Sequence, residues 1–125
     1  MLIDTDVLIW CLRGHLRAIQ AIDQLSLRLI SQVSRTELIC GCRDKKEILL
    51  LKQFLADGGF KVISLSQEIG NRADFHLEEK RLSHGVGLPD ALIAATASLH
   101  GQQFFTANAK HFRCFSNLEL KRFIP

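Results

Sequence analysis

Acidic side chains occur at three widely separated positions where an apolar run ends or a helical pattern begins. Asp4 follows a short apolar run, Glu37 lies just after residues 27–33, and Asp90 precedes a long apolar stretch. Two carboxylates about 4 Å apart repel each other by roughly 4 kcal/mol at an effective dielectric constant near 20. A fold that brings these groups together therefore needs a cation, and oxygen ligands without His or Cys favour Mg²⁺ or Mn²⁺.

The apolar pattern predicts alternating short strands and helices along the chain. The predicted strands are residues 2–3, 27–30, 60–65 and 103–106, with an edge strand near 118–120. The predicted helices are residues 7–12, 18–25, 47–56, 66–82 and 90–99, with a further helix that starts at Ser34. This alternation is typical of the α/β class, in which helices cover both faces of a parallel sheet.

The start of one helix is predicted from a local motif. Ser34-Arg35-Thr36-Glu37 has the Ser-x-x-Glu form of a capping box, in which the Ser caps the helix and the Glu bonds back to it. The motif predicts that the helix begins at Ser34 and that Glu37 lies in its first turn.

Four polar residues are expected at the carboxyl ends of the strands, where open parallel sheets place their functional crevice. Each has a purely structural alternative, because an Asx-turn, a capping box, a helix N-terminus or an ordinary turn would explain it when taken alone. Their shared position at strand-to-helix junctions favours one common site. The four candidates are Asp4, Glu37, Asp90 and Asn108.

Length and composition predict one globular domain that spans residues 1–125. Hydrophobic residues make up 47% of the chain and charged residues 23%, which is an ordinary globular balance. The net charge of +3 permits contact with phosphate without requiring it. The apolar runs are too short for a membrane span and the first residues lack a basic leader, so we expect a cytoplasmic protein with free thiols.

Four segments together resemble PIN domains, in particular toxins of VapC type from bacterial toxin–antitoxin pairs, and they occur in the family's order over nearly the whole chain. The third segment is the most specific of the four. In chain order they are Leu2-Ile3-Asp4-Thr5-Asp6-Val7-Leu8-Ile9, Ser34-Arg35-Thr36-Glu37-Leu38, Pro89-Asp90-Ala91-Leu92-Ile93-Ala94-Ala95-Thr96-Ala97 and Phe105-Thr106-Ala107-Asn108-Ala109-Lys110-His111-Phe112.

The resemblance implies a three-layer α/β/α sandwich and a Mg²⁺-dependent endoribonuclease, for which Mn²⁺ is an alternative ion. Such an enzyme hydrolyses RNA phosphodiester bonds with a metal-activated water. The resemblance also implies neutralisation by a cognate antitoxin and assembly as a homodimer.

The resemblance assigns roles to individual residues. Asp4 and Asp90 would be the principal metal ligands, and Glu37 would complete the acidic centre and help to orient the attacking water. The residues that would support this catalytic centre are Thr5, Asp6, Ser34 and Asn108.

Two features depart from the family pattern. Asp6 stands where the family more often has Asn, and Asn108 and His111 lie where a fourth acid is common. These departures leave open whether the site binds one or two metal ions. They also leave a second function possible, that of a PIN-like module that binds RNA or protein without cleaving it.

A third reading begins with Asp4-Thr5-Asp6, which also fits the Asp-x-Asp pair of HAD-type phosphatases. That mechanism requires a covalent aspartyl phosphate at Asp4. It leaves Glu37 and the Asp90 segment without a role.

Overall fold

The computed structural model describes residues 1–125 as an alternation of five strands and seven helices. The strands are β1 (Leu2–Ile3), β2 (Leu29–Ser31), β3 (Lys61–Ile63), β4 (Phe104–Thr106) and β5 (Leu120–Arg122). The helices are α1 (Thr5–Leu12), α2 (Leu16–Asp23), α3 (Gln32–Cys40), α4 (Lys45–Asp57), α5 (Gln67–His84), α6 (Leu88–Leu99) and α7 (Ala109–Phe112). No helix is long and apolar enough to cross a membrane.

The five strands form one parallel sheet in the order β3-β2-β1-β4-β5. The chain adds β2 and β3 on one side of β1 and then adds β4 and β5 on the other side. The strand order therefore reverses between β1 and β4, and the crevice beyond the carboxyl ends of these two strands is where open α/β sheets place their ligands.

Alternating side chains of the strands supply two separate hydrophobic clusters, one on each face of the sheet. Leu2 and Phe104 point into a cluster with residues of α5 and α6, whereas Ile3 and Phe105 point into a cluster with residues of α1, α2 and α4. Successive side chains of a strand project to opposite faces, so adjacent apolar pairs are required where both faces are buried. The expected three-layer α/β/α sandwich is confirmed.

The start of α3 differs from the prediction made from the capping box. The helix begins at Gln32, and Ser31 is its N-cap, with a hydroxyl that accepts a hydrogen bond from the Val33 amide at 3.0 Å. Ser31 ends β2 in the extended conformation that an N-cap requires, and its side chain therefore caps the free amides of the first turn in place of Ser34. Ser34 is consequently a fully buried residue of the first turn, and Glu37 lies in the second turn.

Several other boundaries shift by one or two residues, and two of these shifts have a clear local reason. The helix predicted from residue 90 begins at Leu88, with Pro89 in its first turn. Proline is tolerated there because the backbone N–H groups of the first turn have no hydrogen-bond acceptor within the helix. The edge strand predicted near 118–120 is β5 at Leu120–Arg122, because Leu118 is buried in the cluster that contains Leu2 and Phe104, and pairing with β4 starts at Leu120.

Candidate active site

Asp4 lies at the centre of the carboxyl edge of the sheet. It directly follows β1, caps the N-terminus of α1, and is only 6% exposed. The Thr5 amide donates to Asp4 Oδ1 at 2.8 Å, and the Thr106 hydroxyl donates to Asp4 Oδ2 at 2.7 Å. The second bond joins residues 102 positions apart and exists because β1 pairs with β4 with Ile3 opposite Phe105.

The surroundings of Asp4 disfavour its ionised form. Burial, the charge of Asp6 and, to a smaller extent, the charge of Asp90 together raise the pKa of Asp4 to about 8. The hydrogen bonds from Thr106 and Thr5 lower the same pKa and only partly oppose the increase. A buried carboxylate between two other acids is an arrangement that a bound cation would stabilise.

Asp6 extends from α1 toward the turn between β4 and α7. Its Oδ2 lies 3.5 Å from the Thr106 hydroxyl, and the Ala107 amide donates to its Oδ1 at 3.4 Å. Burial raises the pKa of Asp6 as well. Asp6 therefore adds a carboxylate to the side of the site where the fourth segment of the chain passes.

Thr5 connects α1 to the acid on α3. Its hydroxyl lies 2.8 Å from Ser34 Oγ and 2.9 Å from Glu37 Oε1. Ser34 is fully buried and Glu37 is exposed. Thr5 directly follows Asp4 in the chain. Together with Ser34 it therefore orients Glu37 at the solvent side of the same edge of the sheet.

Asp90 and His111 form a contact at the rim of the site. His111 Nε2 lies 2.7 Å from Asp90 Oδ2, and the two side chains are 37% and 33% exposed. Asp90 lies in the first turn of α6, next to the partial positive charge of the helix N-terminus.

Asn108 is exposed and precedes α7 without a capping hydrogen bond from its side chain. Its amide donates to Thr106 Oγ1 at 2.9 Å, so its backbone rather than its amide side chain is tied to the acidic residues. Among the acids, Asp6 and Asp90 lie close enough to Asp4 for their charges to raise its pKa, and Thr5 links Asp4 to Glu37 by hydrogen bonds.

The acidic residues leave coordination positions to be filled by other oxygens. No three carboxyl, imidazole or thiol groups lie close enough together to hold a metal ion by themselves. Mg²⁺ commonly binds through one or two carboxylates and retains several waters, so this oxygen-only donor set fits that ion. The buried Asp4, with its raised pKa, is the group that gains most from a positive charge.

Thr106 is a site residue that the sequence reasoning missed. It is fully buried, donates to Asp4 and accepts from the Asn108 amide. A threonine at the end of an apolar strand was the available signal, but its significance depends on β4 lying beside β1.

Comparison with known proteins agrees with this architecture. The protein-family model described as PIN domain matches residues 1–116. Ribonuclease VapC10 of Mycobacterium tuberculosis (strain CDC 1551 / Oshkosh) is 37% identical over 134 aligned positions, which cover all of this chain and 95% of that protein.

Solved structures show the same fold. A toxin-antitoxin complex from Klebsiella pneumoniae contains a chain that is 30% identical with a TM-score of 0.78, and the match covers 94% of this chain and 93% of that one. The structure of VapBC2 from Rickettsia felis bound to a promoter DNA fragment matches with a TM-score of 0.80 at 22% identity, covering 98% of both chains. Because the family model matches residues 1–116 and a curated relative is 37% identical over the whole chain, the chain belongs to the PIN-domain family.

Proposed function

We propose that this protein is a divalent-metal-dependent endoribonuclease and the toxin of a toxin–antitoxin pair. The observation that carries the proposal is the buried Asp4, whose pKa is raised by burial and by the neighbouring acids Asp6 and Asp90, at the reversal point of a PIN-domain sheet. A metal-dependent catalytic centre for phosphodiester hydrolysis uses such a cluster of oxygen ligands.

In this proposal Asp4 and Asp90 hold Mg²⁺, with Mn²⁺ as a substitute, and Glu37 completes the acidic centre and orients the attacking water. When bound, the ion would neutralise the acids and lower the pKa of a bound water. Thr106 and the Thr5 amide hold the Asp4 carboxylate by hydrogen bonds, while the Thr5 hydroxyl and Ser34 orient Glu37. Asp6 and Asn108 flank the centre as supporting residues.

Similarity to named proteins supports the substrate and partner. The curated relative at 37% identity is called a ribonuclease, and the solved relative at 30% identity comes from a toxin-antitoxin complex. We infer from these that the substrate is RNA and that a cognate antitoxin protein neutralises this chain. Assembly as a homodimer is part of the same proposal, and light scattering would test it against the 14.1 kDa mass of one chain.

The decisive experiment is RNA cleavage by the purified protein, freed of antitoxin, with Mg²⁺ or Mn²⁺. We expect cleavage of single-stranded RNA that leaves 5′-phosphate ends, and no cleavage by Asp4→Asn or in the presence of a chelator. RNA pools that include tRNA should be tried, because the residues of the site do not indicate a target sequence.

Other outcomes of the same experiment would reject the proposal. Cleavage no greater than that of Asp4→Asn across all pools would favour a PIN-like module that binds without cleaving. Ends with a 2′,3′-cyclic phosphate would indicate metal-independent chemistry. A phosphoryl group trapped on Asp4 would favour a phosphatase, although both oxygens of this buried side chain already accept hydrogen bonds.

A further inference from the structure

The positive charge of the chain is concentrated in its last segment. Residues 107–125 contain four Lys or Arg residues and a single Glu, so this segment alone accounts for the net charge of +3. The remaining 106 residues carry equal numbers of acidic and basic side chains. The segment follows β4 and so starts at the candidate active site.

Three of these four cations line two adjoining surface cavities. A cavity of about 520 Å³ and another of about 450 Å³ share Asn108, Lys110 and Arg113 in their walls. His111 belongs to the first cavity and Arg122 to the second, and neither cavity has an acidic residue in its wall. Lys110, Arg113 and Arg122 are exposed; we call these three residues the basic surface.

The three cations of the basic surface have no acidic partner in the protein. The close contacts between basic and acidic side chains are Arg43 with Glu47 and His111 with Asp90. Exposed Lys and Arg residues usually serve only to keep a surface hydrated, and they are commonly interspersed with acids. Three unpaired cations around two connected cavities are instead suited to an extended anion.

The basic surface adjoins the acidic centre through two short connections. His111, in the wall of the first cavity, lies 2.7 Å from Asp90. Asn108, in the wall of both cavities, donates through its backbone N–H to the Thr106 hydroxyl, which in turn donates to Asp4. A chain of phosphates with one phosphate at the acids would therefore run past His111 and Asn108 toward the cations.

We propose that Lys110, Arg113 and Arg122 bind backbone phosphates of the RNA adjacent to the phosphate that is cleaved. This inference rests on the proposed ribonuclease function and names the residues that hold its substrate. The cavity walls contain no Phe or Trp for base stacking. We therefore expect the basic surface to supply affinity that is independent of base sequence.

The first test measures binding of a fluorescent single-stranded RNA as a function of salt, with a chelator present so that no cleavage occurs. Each phosphate contact contributes about 0.7 to the slope of log K against log salt for a single strand. Lys110→Gln, Arg113→Gln and Arg122→Gln should each lower the slope by about 0.7 and weaken binding about five-fold at about 0.1 M salt. The triple variant should bind about 100-fold more weakly and lose about 2 from the slope.

A matched control removes the same charge elsewhere. Lys45, Lys46 and Lys52 are exposed residues of α4. This helix packs on one face of the sheet, whereas α7, which carries Lys110, packs through Phe112 on the other face. Their triple replacement by Gln should leave most of the affinity and the salt slope intact. Equal losses in the two triple variants, or an unchanged slope in Lys110→Gln/Arg113→Gln/Arg122→Gln, would overturn the inference.

The second test separates this inference from the proposed function by kinetics. Where the wild-type protein cleaves RNA, the triple variant of the basic surface should raise KM with kcat and the cleavage positions unchanged. A loss of kcat at constant KM would contradict phosphate binding as the role of these residues. If the wild-type protein cleaves no RNA, the ribonuclease proposal fails, while the binding slopes still decide whether the basic surface holds RNA.

Discussion

Asp4 is the residue at which the structural and functional demands on this protein conflict. Its carboxyl group is buried and lies beside two other acids, yet it caps α1 and joins that helix to β4 through Thr106. Asp6 has a larger effect on the pKa of Asp4 than Asp90 has. Asp6, which stands where the family more often has Asn, is thus the stronger of the two repulsive charges on Asp4. In the proposed site a bound cation would offset this repulsion.

We expect the stability of the metal-free protein to fall as the pH rises from about 4 to about 8. The pKa of Asp4 is about 8 in the folded protein against an ordinary value of 3.8, so the native state binds a proton that the unfolded chain has already lost. Urea denaturation in a chelator across this range would measure the decline.

Asp4→Asn should show a smaller decline in unfolding free energy over the same pH range, because the substituted amide does not titrate. Asp74→Asn, at an exposed position of α5, is the control and should behave as the wild type does. Parallel pH profiles for Asp4→Asn and the wild type would contradict the electrostatic account.

Thr106→Val is expected to reduce the free energy of unfolding by about 1–3 kcal/mol and to weaken Mn²⁺ binding, because the Asp4 carboxylate and the Asn108 amide both lose a partner. Thr96→Val is the matched control, since Thr96 is also fully buried but bonds only to the Leu92 carbonyl within α6. Mn²⁺ titration and chemical denaturation would compare the two. Similar metal affinities would show that Thr106 does not hold Asp4 for the ion.

At the scale of the elements, the junction between β2 and α3 determines the role of three polar residues. Because Ser31 caps the helix, Ser34 is free to face α1 and contact Thr5. Glu37 then lies one turn further along, where its carboxylate accepts from the Thr5 hydroxyl rather than from the backbone of its own helix. The N-cap lies three residues earlier than predicted, at Ser31 instead of Ser34, and Ser34 and Glu37 are therefore part of the candidate active site rather than a capping pair.

Two serine substitutions test this assignment. Ser31→Ala should reduce the free energy of unfolding by about 1 kcal/mol through loss of the N-cap. Ser34→Ala should reduce it less, because the Thr5 hydroxyl retains Glu37 as an acceptor. Denaturation curves would measure both, and a larger loss for Ser34→Ala than for Ser31→Ala would contradict a helix that begins at Gln32.

At the scale of the whole molecule, the strand order gathers acids from distant parts of the chain. β1 carries Asp4 at its end, β4 beside it carries Thr106, and α6, which connects β3 to β4, carries Asp90. Packing on both faces of the sheet holds these elements in place. Binding of a cation at their common edge should therefore stabilise the fold as a whole.

Saturating Mn²⁺ is expected to raise the melting temperature, since a ligand that binds only the native state at about 100 times its Kd contributes about 2.7 kcal/mol. Asp90→Asn should blunt this increase, while Asp57→Asn, at an exposed position of α4, should not. Differential scanning calorimetry would measure both. An unchanged midpoint at saturating metal would mean that the acids do not share a cation.

The sequence by itself determined the alternation of strands and helices and the location of Asp4 beyond β1 and Asp90 in the first turn of α6. These features follow from local apolar patterns and from turn and cap residues, which act over a few positions. Assignment to one domain, to a homodimer and to the cytoplasm stays a prediction. So do the metal-binding and catalytic roles of Asp4, Glu37 and Asp90.

Only the tertiary structure decided which side chains contact Asp4. The bond from Thr106 spans 102 positions, and the contacts of Asp6 with the β4–α7 turn span about as many. Such contacts depend on the placement of β4 beside β1, which results from packing both sheet faces at once. The start of α3 also depends on the sheet. Ser31 and Ser34 are both suitable N-cap residues by their local sequence, and Ser31 is the cap because β2 ends at this residue.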